Sequence, residues 1–556
     1  MGDEKGVELR AVRDPIHGFV ELPKDLFETL IDTELFQRLR DVKQLGLAYL
    51  VYPSATHTRF EHSLGAAAVM KNMITHVIEN TKELIHLTKH LKPAYEEVMK
   101  ELENLLPEAV VAALLHDIGH MLLSHVSEKV TKSDLTYLKE AGAIPLFTDH
   151  ELRGIAIVEE LIQSGSEVRY KGRRVDLETV KEVLQAAYFS GARMNLLSNL
   201  NPRNNAKLII AQLISSEIDV DRGDFVLRDA YSAGVSLGSY DLNRLYKVIV
   251  LVPDKENKDL LKVGILDKGI SVIESMLLGR VFMYKDVYLH TISMLYSAMA
   301  VRILNLILKR EDWRDLLYEI EVIRMAYHKG ASPSNDLGKE QGAKLTEIMN
   351  LVTDSTFYQM LRKIPSEIEK RVRNGRIKLD DDLVTLYLLA KSILSRRRWT
   401  YLLASDELSQ KLVNKYYSED DKEGREAFLT LLSQYYHSAV ILYFSRYKGY
   451  TGGVLVAKRS KPTEVCLLEE CPASVVAKEL MGKNFTKLIL VFPEARGELE
   501  FKRWYLKKGD VSDLLKGLSE AYEKGFGKEL EVEKYLDGAS GTAARLAVKL
   551  ESLPSA

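Results

Sequence analysis

The run EAVVAALLHDI, residues 108–118, constrains this chain more than any other feature. Residues 109–115 are seven consecutive Ala, Val or Leu side chains, opened by Pro107. Such a run predicts a helix buried on most of its sides. It ends in His116-Asp117, and Gly119 is read as closing the helix. An ionisable pair in apolar surroundings is costly unless something neutralises it. A divalent cation would do so, because imidazole and carboxylate are natural ligands for one. Neighbouring helical residues point roughly 100° apart, so both reach a single ion only if it sits off the helix end. Taken alone, His-Asp equally describes a capping histidine beside a surface aspartate.

The flanking segments add candidates. His120 follows one turn after His116, and His125 lies in LLSHVSE. Upstream, TRFEHSLG places His62 beside Arg59 and Glu61; downstream, EIDVDRGDFVLRD holds Glu217, Asp219, Asp221, Asp224 and Asp229. Each of these has an ordinary alternative, a helix-face histidine or a solvated acid. The same holds for His57 in its loop and for His290 in VYLHT, which reads as a packed helix residue.

At 556 residues the chain exceeds one ordinary domain, so a large main domain and at least one smaller one are expected. With 77 basic against 79 acidic residues there is no overall electrostatic footprint for nucleic acid. Cys466 and Cys471 are read as two ordinary thiols. The polar start MGDEKGVELR is not read as a signal peptide, and no apolar run is read as long enough to span a membrane, so a cytoplasmic protein is expected. Helical spacing predicts helices over 26–45 (with Asp32 and Thr33 as an N-cap), 62–80, 95–105, 150–165, 176–190, 206–219, 222–233 and from 270 to about 445. YKVIVLVP and LLKVGIL, flanking a polar turn, predict an inserted β-hairpin at 246–253 and 260–266. Beyond Gly-rich 448–453, the runs GGVLVAK, TEVCLLE, KLILVFP and ELEFKRWYL predict strands, with helices near 511–524 and 540–551. The expected division is a main domain over 1–400 with a helical extension, a helical connector over 401–447, and a separate α+β domain over 448–556. The basic run SRRRWT at 395–400 is read as a solvated helix face.

Five ordered segments, DPIHGFVELP (14–23), DTELFQRLRDVKQLG (32–46), YPSATHTRFEHSLG (52–65), LLHDIGHMLLSH (114–125) and EIDVDRGDFVLRDAYSAG (217–234), resemble the HD-domain phosphohydrolases. The likeness is to their deoxynucleoside triphosphate triphosphohydrolase branch, and it extends through ESMLLGRVFMYKDVYLH (274–290). The resemblance implies a mainly α fold: an all-helical HD-domain core with a small inserted β-hairpin, followed by a smaller α+β domain. It implies a metal held by His62, His116, Asp117 and Asp221. It assigns acid/base and phosphate-orienting roles to His120, His125 and His150, with Glu128 as partner to His150. Gln44 and Asp229 would bind the deoxyribose 3′-hydroxyl; Arg59 and Arg222 would hold phosphate; Phe282 would line the sugar pocket. Asp32, Gln37 and Arg40 match the stretch that relatives use for a guanine-nucleotide activator at a subunit interface, and at helical spacing they equally describe a solvated face with an Asp cap.

The implied cofactor is one divalent ion (Mg, Mn, Fe, Ni or Zn), with a second Mg arriving with substrate. The implied partners are a nucleotide and further copies of the chain, as a dimer or tetramer. The expected reaction is metal-dependent hydrolysis of a deoxynucleoside triphosphate to deoxynucleoside and triphosphate. Two alternatives stand beside it: an HD phosphohydrolase acting on another nucleotide or phosphoester, and a nucleotide-sensing or nucleic-acid-binding module with little catalysis.

Overall fold

The computed structural model describes residues 8–85, 92–130, 149–310, 313, 316–329, 345–376, 380–398, 400–404, 441–447, 449–492, 532–535 and 543–548. The fold is mainly α. A hairpin of β1 (Leu9–Asp14) and β2 (Gly18–Pro23) precedes the helices α1 (Arg59–Ile85), α2 (Lys92–Asn104), α3 (Leu106–Leu115), α4 (His150–Gln163), α5 (Leu177–Tyr188), α6 (Pro202–Ile214) and α7 (Val220–Ala233). The strands β3 (Ile249–Pro253) and β4 (Leu261–Leu266) follow, then α8 (Ile270–Met283), α9 (Thr291–Lys309), α10 (Asp354–Arg373) and α11 (Asp381–Leu394). Helix α3 is buried at every position from Pro107 to Leu115, as its apolar run requires, and α1 packs against both α3 and α7. These three helices position His62, the His116-Asp117 pair at the end of α3, and Asp221.

Helix α9 is long and apolar enough by length and composition to cross a membrane, which the sequence reading did not anticipate. Its most apolar window is 89% buried inside the protein, so here it is the central helix of the core.

Several expectations are corrected. Residues 26–45 are not one helix. They form short turns at Lys24–Leu26, Phe27–Ile31, Glu34–Gln37 and Arg38–Asp41, and Gln44 lies beyond them in a loop. The break falls at Thr33, whose backbone is extended and whose hydroxyl donates to the Leu30 carbonyl instead of capping the next turn. Gly119 does not end α3 in a left-handed cap; the helix stops at Leu115, and Gly119 serves close packing instead. Arg396 is not on a helix face. It follows α11 with φ +53°, and its guanidinium donates to the Leu50 carbonyl.

The described parts of the proposed helical connector, β5 (Thr400–Ala404) and β6 (Ile441–Tyr447), are strands. After them come β7 (Leu455–Lys458), β8 (Lys461–Leu467), β9 (Phe485–Phe492), β10 (Val532–Tyr535) and β11 (Ala543–Val548). Strand β11 lies where a helix over 540–551 was expected. The ELEFKRWYL strand and the 511–524 helix fall outside the described residues.

The C-terminal segment is also not a free-standing unit. The inserted hairpin β3–β4 extends into a four-stranded sheet in the order β8-β7-β4-β3, with Gly264 of β4 opposite Leu455 of β7 in parallel. A second sheet has the order β10-β11-β5-β9-β6, so β6 and β9 pair across the Gly-rich segment expected to be a boundary. A hairpin buried in the main domain leaves one edge open, and the later strands cover it. Cys466 and Cys471 are paired as a disulfide with a Cα–Cα distance of 6.2 Å, in place of the two thiols expected. A separation of five residues around the end of β8 brings them within bonding reach.

Candidate metal centre and nucleotide cavity

Four side chains converge where α1, α3 and α7 meet. His62 lies in the first turn of α1, His116 caps the C-terminus of α3, Asp117 follows it, and Asp221 lies in the first turn of α7. His62 Nε2 is 3.2 Å from His116 Nε2 and 3.1 Å from Asp221 Oδ1. Asp117 Oδ2 lies 3.4 Å from His62 Nε2 and 3.5 Å from His116 Nε2. Asp219, two residues before Asp221, instead caps α7 by accepting from the Arg222 amide at 2.7 Å. That separates the roles of the two aspartates.

The outer ring nitrogens are already committed. His62 Nδ1 bonds Asp224 Oδ2 at 2.8 Å, and His116 Nδ1 bonds the Ala113 carbonyl at 2.7 Å. Both acceptors fix the proton on Nδ1, so two Nε2 lone pairs face each other across 3.2 Å beside two carboxylates. That arrangement is repulsive without a cation between them. Burial opposes a charge on His62, yet Asp117, Asp221 and Asp224 hold its pKa well above the ordinary value, so the carboxylates favour a cation here, a proton on Nε2 or a metal ion. The donor set, two imidazoles and two carboxylates, suits a divalent ion.

Asp224 is itself fully engaged. Its oxygens meet His17 Nε2 at 2.6 Å, His62 Nδ1 at 2.8 Å, and Arg228 Nε and Nη2 at 2.8 Å each; Arg228 also reaches Asp14. Gly65 permits this approach, since a Cβ there would fall 1.9 Å from Asp224 Oδ1. Replacing Asp224 with asparagine is expected to weaken metal binding about 10–100-fold, the usual cost of losing an orienting carboxylate. Chelator competition on the folded variant measures it, and an unchanged affinity would show that Asp224 only supports the fold.

A second cluster adjoins the first. The His120 ring stacks on His150 at 3.9 Å, and His125 meets both edge-on. Glu128 joins them: Oε1 bonds His150 Nδ1 and Oε2 bonds His125 Nδ1, each at 2.9 Å. Burial opposes a charged His150, but the Glu128 carboxylate outweighs it and raises the pKa. Burial, then Arg59, push His120 well down. With Nδ1 on Glu128, His150 Nε2 faces Asp117 Oδ1 at 3.9 Å. The loop carrying these groups is clamped by two buried arginines, Arg38 on the His120 carbonyl and Arg153 on the Gly119 carbonyl, both at 2.8 Å.

A cavity of about 560 Å³ opens on both clusters, lined by Gln44, Arg59, Asp117, His125, Glu128, His150, Asp221 and Asp229 among others. Arg59 bonds Asp117 and Ser124 Oγ. Gln44 is buried, and its Oε1 has no partner among the described residues. Asp229 accepts from His57 Nε2 at 2.7 Å and from the Tyr288 hydroxyl at 2.5 Å.

Arg222, Phe282 and the Asp32–Gln37–Arg40 group are not brought to the cavity. Arg222 is held by Asp219 at 2.5 Å and does not line it. Phe282 is 38% exposed and does not line it; Tyr288 does. Asp32, Gln37 and Arg40 form a patch elsewhere, with Asp32 bonded to Arg10 and Arg40 bonded to Gln37 and stacked over Phe60. His57, Tyr288, Asp224 and His17 are site residues that sequence reasoning left unassigned. Each lay inside a quoted segment and carried no spacing signal of its own.

No family model matches the chain. It is 32% identical over 302 residues to an uncharacterized protein of Methanocaldococcus jannaschii, covering 54% of this chain and 49% of that one. It is 29% identical over 297 residues to a putative HD domain-containing protein of Acanthamoeba polyphaga mimivirus, covering 52% and 56%. To the deoxynucleoside triphosphate triphosphohydrolase of Homo sapiens it is 27% identical over 315 residues, covering 55% and 46%. The chain spans about half the length of the curated relatives it matches. A crystal structure of a phosphohydrolase from Bacteroides thetaiotaomicron superposes with a TM-score of 0.59 at 22% identity, covering 88% of this chain and 100% of that one. Over about half its length the chain is thus similar in sequence to an HD domain-containing protein and to a deoxynucleoside triphosphate triphosphohydrolase, and it shares its fold with a solved phosphohydrolase.

Proposed function

We propose that the chain hydrolyses deoxynucleoside triphosphates to deoxynucleoside and intact triphosphate, using a divalent ion held by His62, His116, Asp117 and Asp221. The observation that carries the proposal is the continuity of one cavity. It joins Asp117 and Asp221 of the four-donor centre, His125, Glu128 and His150 of the second cluster, and the Gln44–Asp229–Tyr288 group in a space of ordinary ligand size. When bound, the ion would neutralise charge on the phosphorus and lower the pKa of a water.

The remaining work falls to the chain's own residues. Arg59 presents a guanidinium to phosphate oxygens. Gln44 Oε1, buried and unpartnered among the described residues, accepts a sugar hydroxyl, and Asp229 shares that task once Tyr288 or His57 yields. Glu128 orients His150 and His125, and His150 Nε2, on the Asp117 side, hands a proton to the departing 5′-oxygen. Buried His120 keeps the stack rigid.

Incubation with each deoxynucleoside triphosphate and Mg²⁺ or Mn²⁺, with products resolved by ion exchange, tests this. Triphosphate release is expected. Orthophosphate release, or action on monophosphates alone, points to another phosphoester activity. Tight binding without turnover in any metal points to a sensor. The surface patch of Asp32, Gln37 and Arg40 is included in the proposal as a guanine-nucleotide site between copies of the chain. GTP should then raise both rate and assembly mass in the wild type and neither in Arg40→Ala.

A further inference from the structure

The reacting end of the cavity does not account for all of its lining. Five carboxylates face it: Asp117, Glu128, Glu151, Asp221 and Asp229. Among the described lining residues, two are Lys or Arg: Arg59, already bonded to Asp117, and Lys129. A triphosphate brings several further negative charges, so it needs cationic partners beyond the metal and Arg59.

Lys129 ends the same short turn, Ser124–Lys129, that carries His125 and Glu128. Its Nζ lies 3.4 Å from Ser445 Oγ and 5.4 Å from the centre of the Tyr443 ring. Both partners belong to β6, so the C-terminal sheet supplies a wall of the cavity. The base of α9 adds Ser293 and Ser297, which also line it. Ser293 is 5% exposed, and its Oγ has no partner among the described residues. Ser297 bonds the Tyr443 side chain. A buried hydroxyl without a partner is costly unless a ligand supplies one.

We propose that Lys129, Ser293, Ser445 and Tyr443 form a subsite for the distal phosphates of the substrate, so that the C-terminal sheet completes the binding of the polyphosphate tail. The subsite rests on the hydrolase reading given above. It takes a condensed phosphate chain: one cation faces a group of hydroxyl donors.

Calorimetry on the manganese-loaded full chain tests it, with inorganic tripolyphosphate and orthophosphate as probes. Lys129→Ala and Ser445→Ala should each weaken tripolyphosphate binding about 10-fold while changing orthophosphate binding much less. Lys129→Arg should restore most of the loss. A merely structural role would weaken both probes alike and would not be rescued, which overturns the subsite. Wild-type tripolyphosphate binding that both variants leave intact also overturns it, while hydrolysis stands. If the wild type neither binds tripolyphosphate nor releases it from any deoxynucleoside triphosphate, the hydrolase reading itself has failed.

Discussion

Replacing Asp117 with alanine is expected to lower turnover by at least about 10³-fold, a loss of roughly 4 kcal/mol of transition-state stabilisation. Asp117 stands in three relationships at once. Its Oδ2 faces both His62 and His116, the same oxygen holds Arg59, and its Oδ1 faces His120 and His150. On the proposed reading, losing it removes an anionic donor from the metal centre and releases the guanidinium that would hold phosphate. Alanine also leaves Arg59 buried without that partner, so lost folding must be distinguished from lost chemistry. Asp117→Asn keeps the shape while removing the charge and should fall by a similar factor. Initial rates at saturating substrate and metal, with thermal melts on the same samples, measure both. An Asn variant that keeps near-wild-type turnover would remove Asp117 from the metal centre.

Gly119→Ala carries the second large effect, with a different origin. A Cβ at this position would lie 2.0 Å from the His150 carbonyl oxygen and 2.5 Å from the Gly154 amide nitrogen. Both are backbone atoms of α4, so no side chain can rotate out of the way. Either the loop after Asp117 or the start of α4 must shift, and either shift separates His150 from Glu128 and Asp117. Overpacking a well-filled core usually costs about 1–3 kcal/mol, and backbone against backbone belongs at the upper end. The expected outcome is a lowered melting temperature together with a fall in turnover of about 10²-fold, the scale of losing a positioned acid–base group. An alanine variant with wild-type melting and turnover would show that α4 can back away without disturbing the histidine stack.

The candidate metal centre was the most legible part of the sequence. An apolar helix ending in His116-Asp117 is costly without a partner, and the ordered segments around His62 and Asp221 supplied candidates. The structure brings all four together. It also explains why Asp219 differs from Asp221, since only one is tied up as a cap.

What stayed illegible depended on contacts distant in sequence. Asp224 pairs with His17 and His62, 207 and 162 residues away, and no periodicity encodes that. Gly119 looked like a helix terminator because glycine commonly is one; the approach of α4 that requires it comes from the other side of the fold. The C-terminal strands were visible as β-branched runs, but their destination was not. Edge pairing with β4 and the placement of β6 over the cavity are set by tertiary contacts. Lys129 follows Glu128 in an unremarkable stretch, and its environment is made by β6, more than 300 residues later.

The most direct test of the central claim is hydrolysis of a deoxynucleoside triphosphate in ¹⁸O-water by the metal-loaded protein, with products analysed by mass spectrometry. Water attack on the α-phosphorus places one ¹⁸O in intact triphosphate and none in the deoxynucleoside. Label in the deoxynucleoside, or labelled orthophosphate in place of triphosphate, would contradict it.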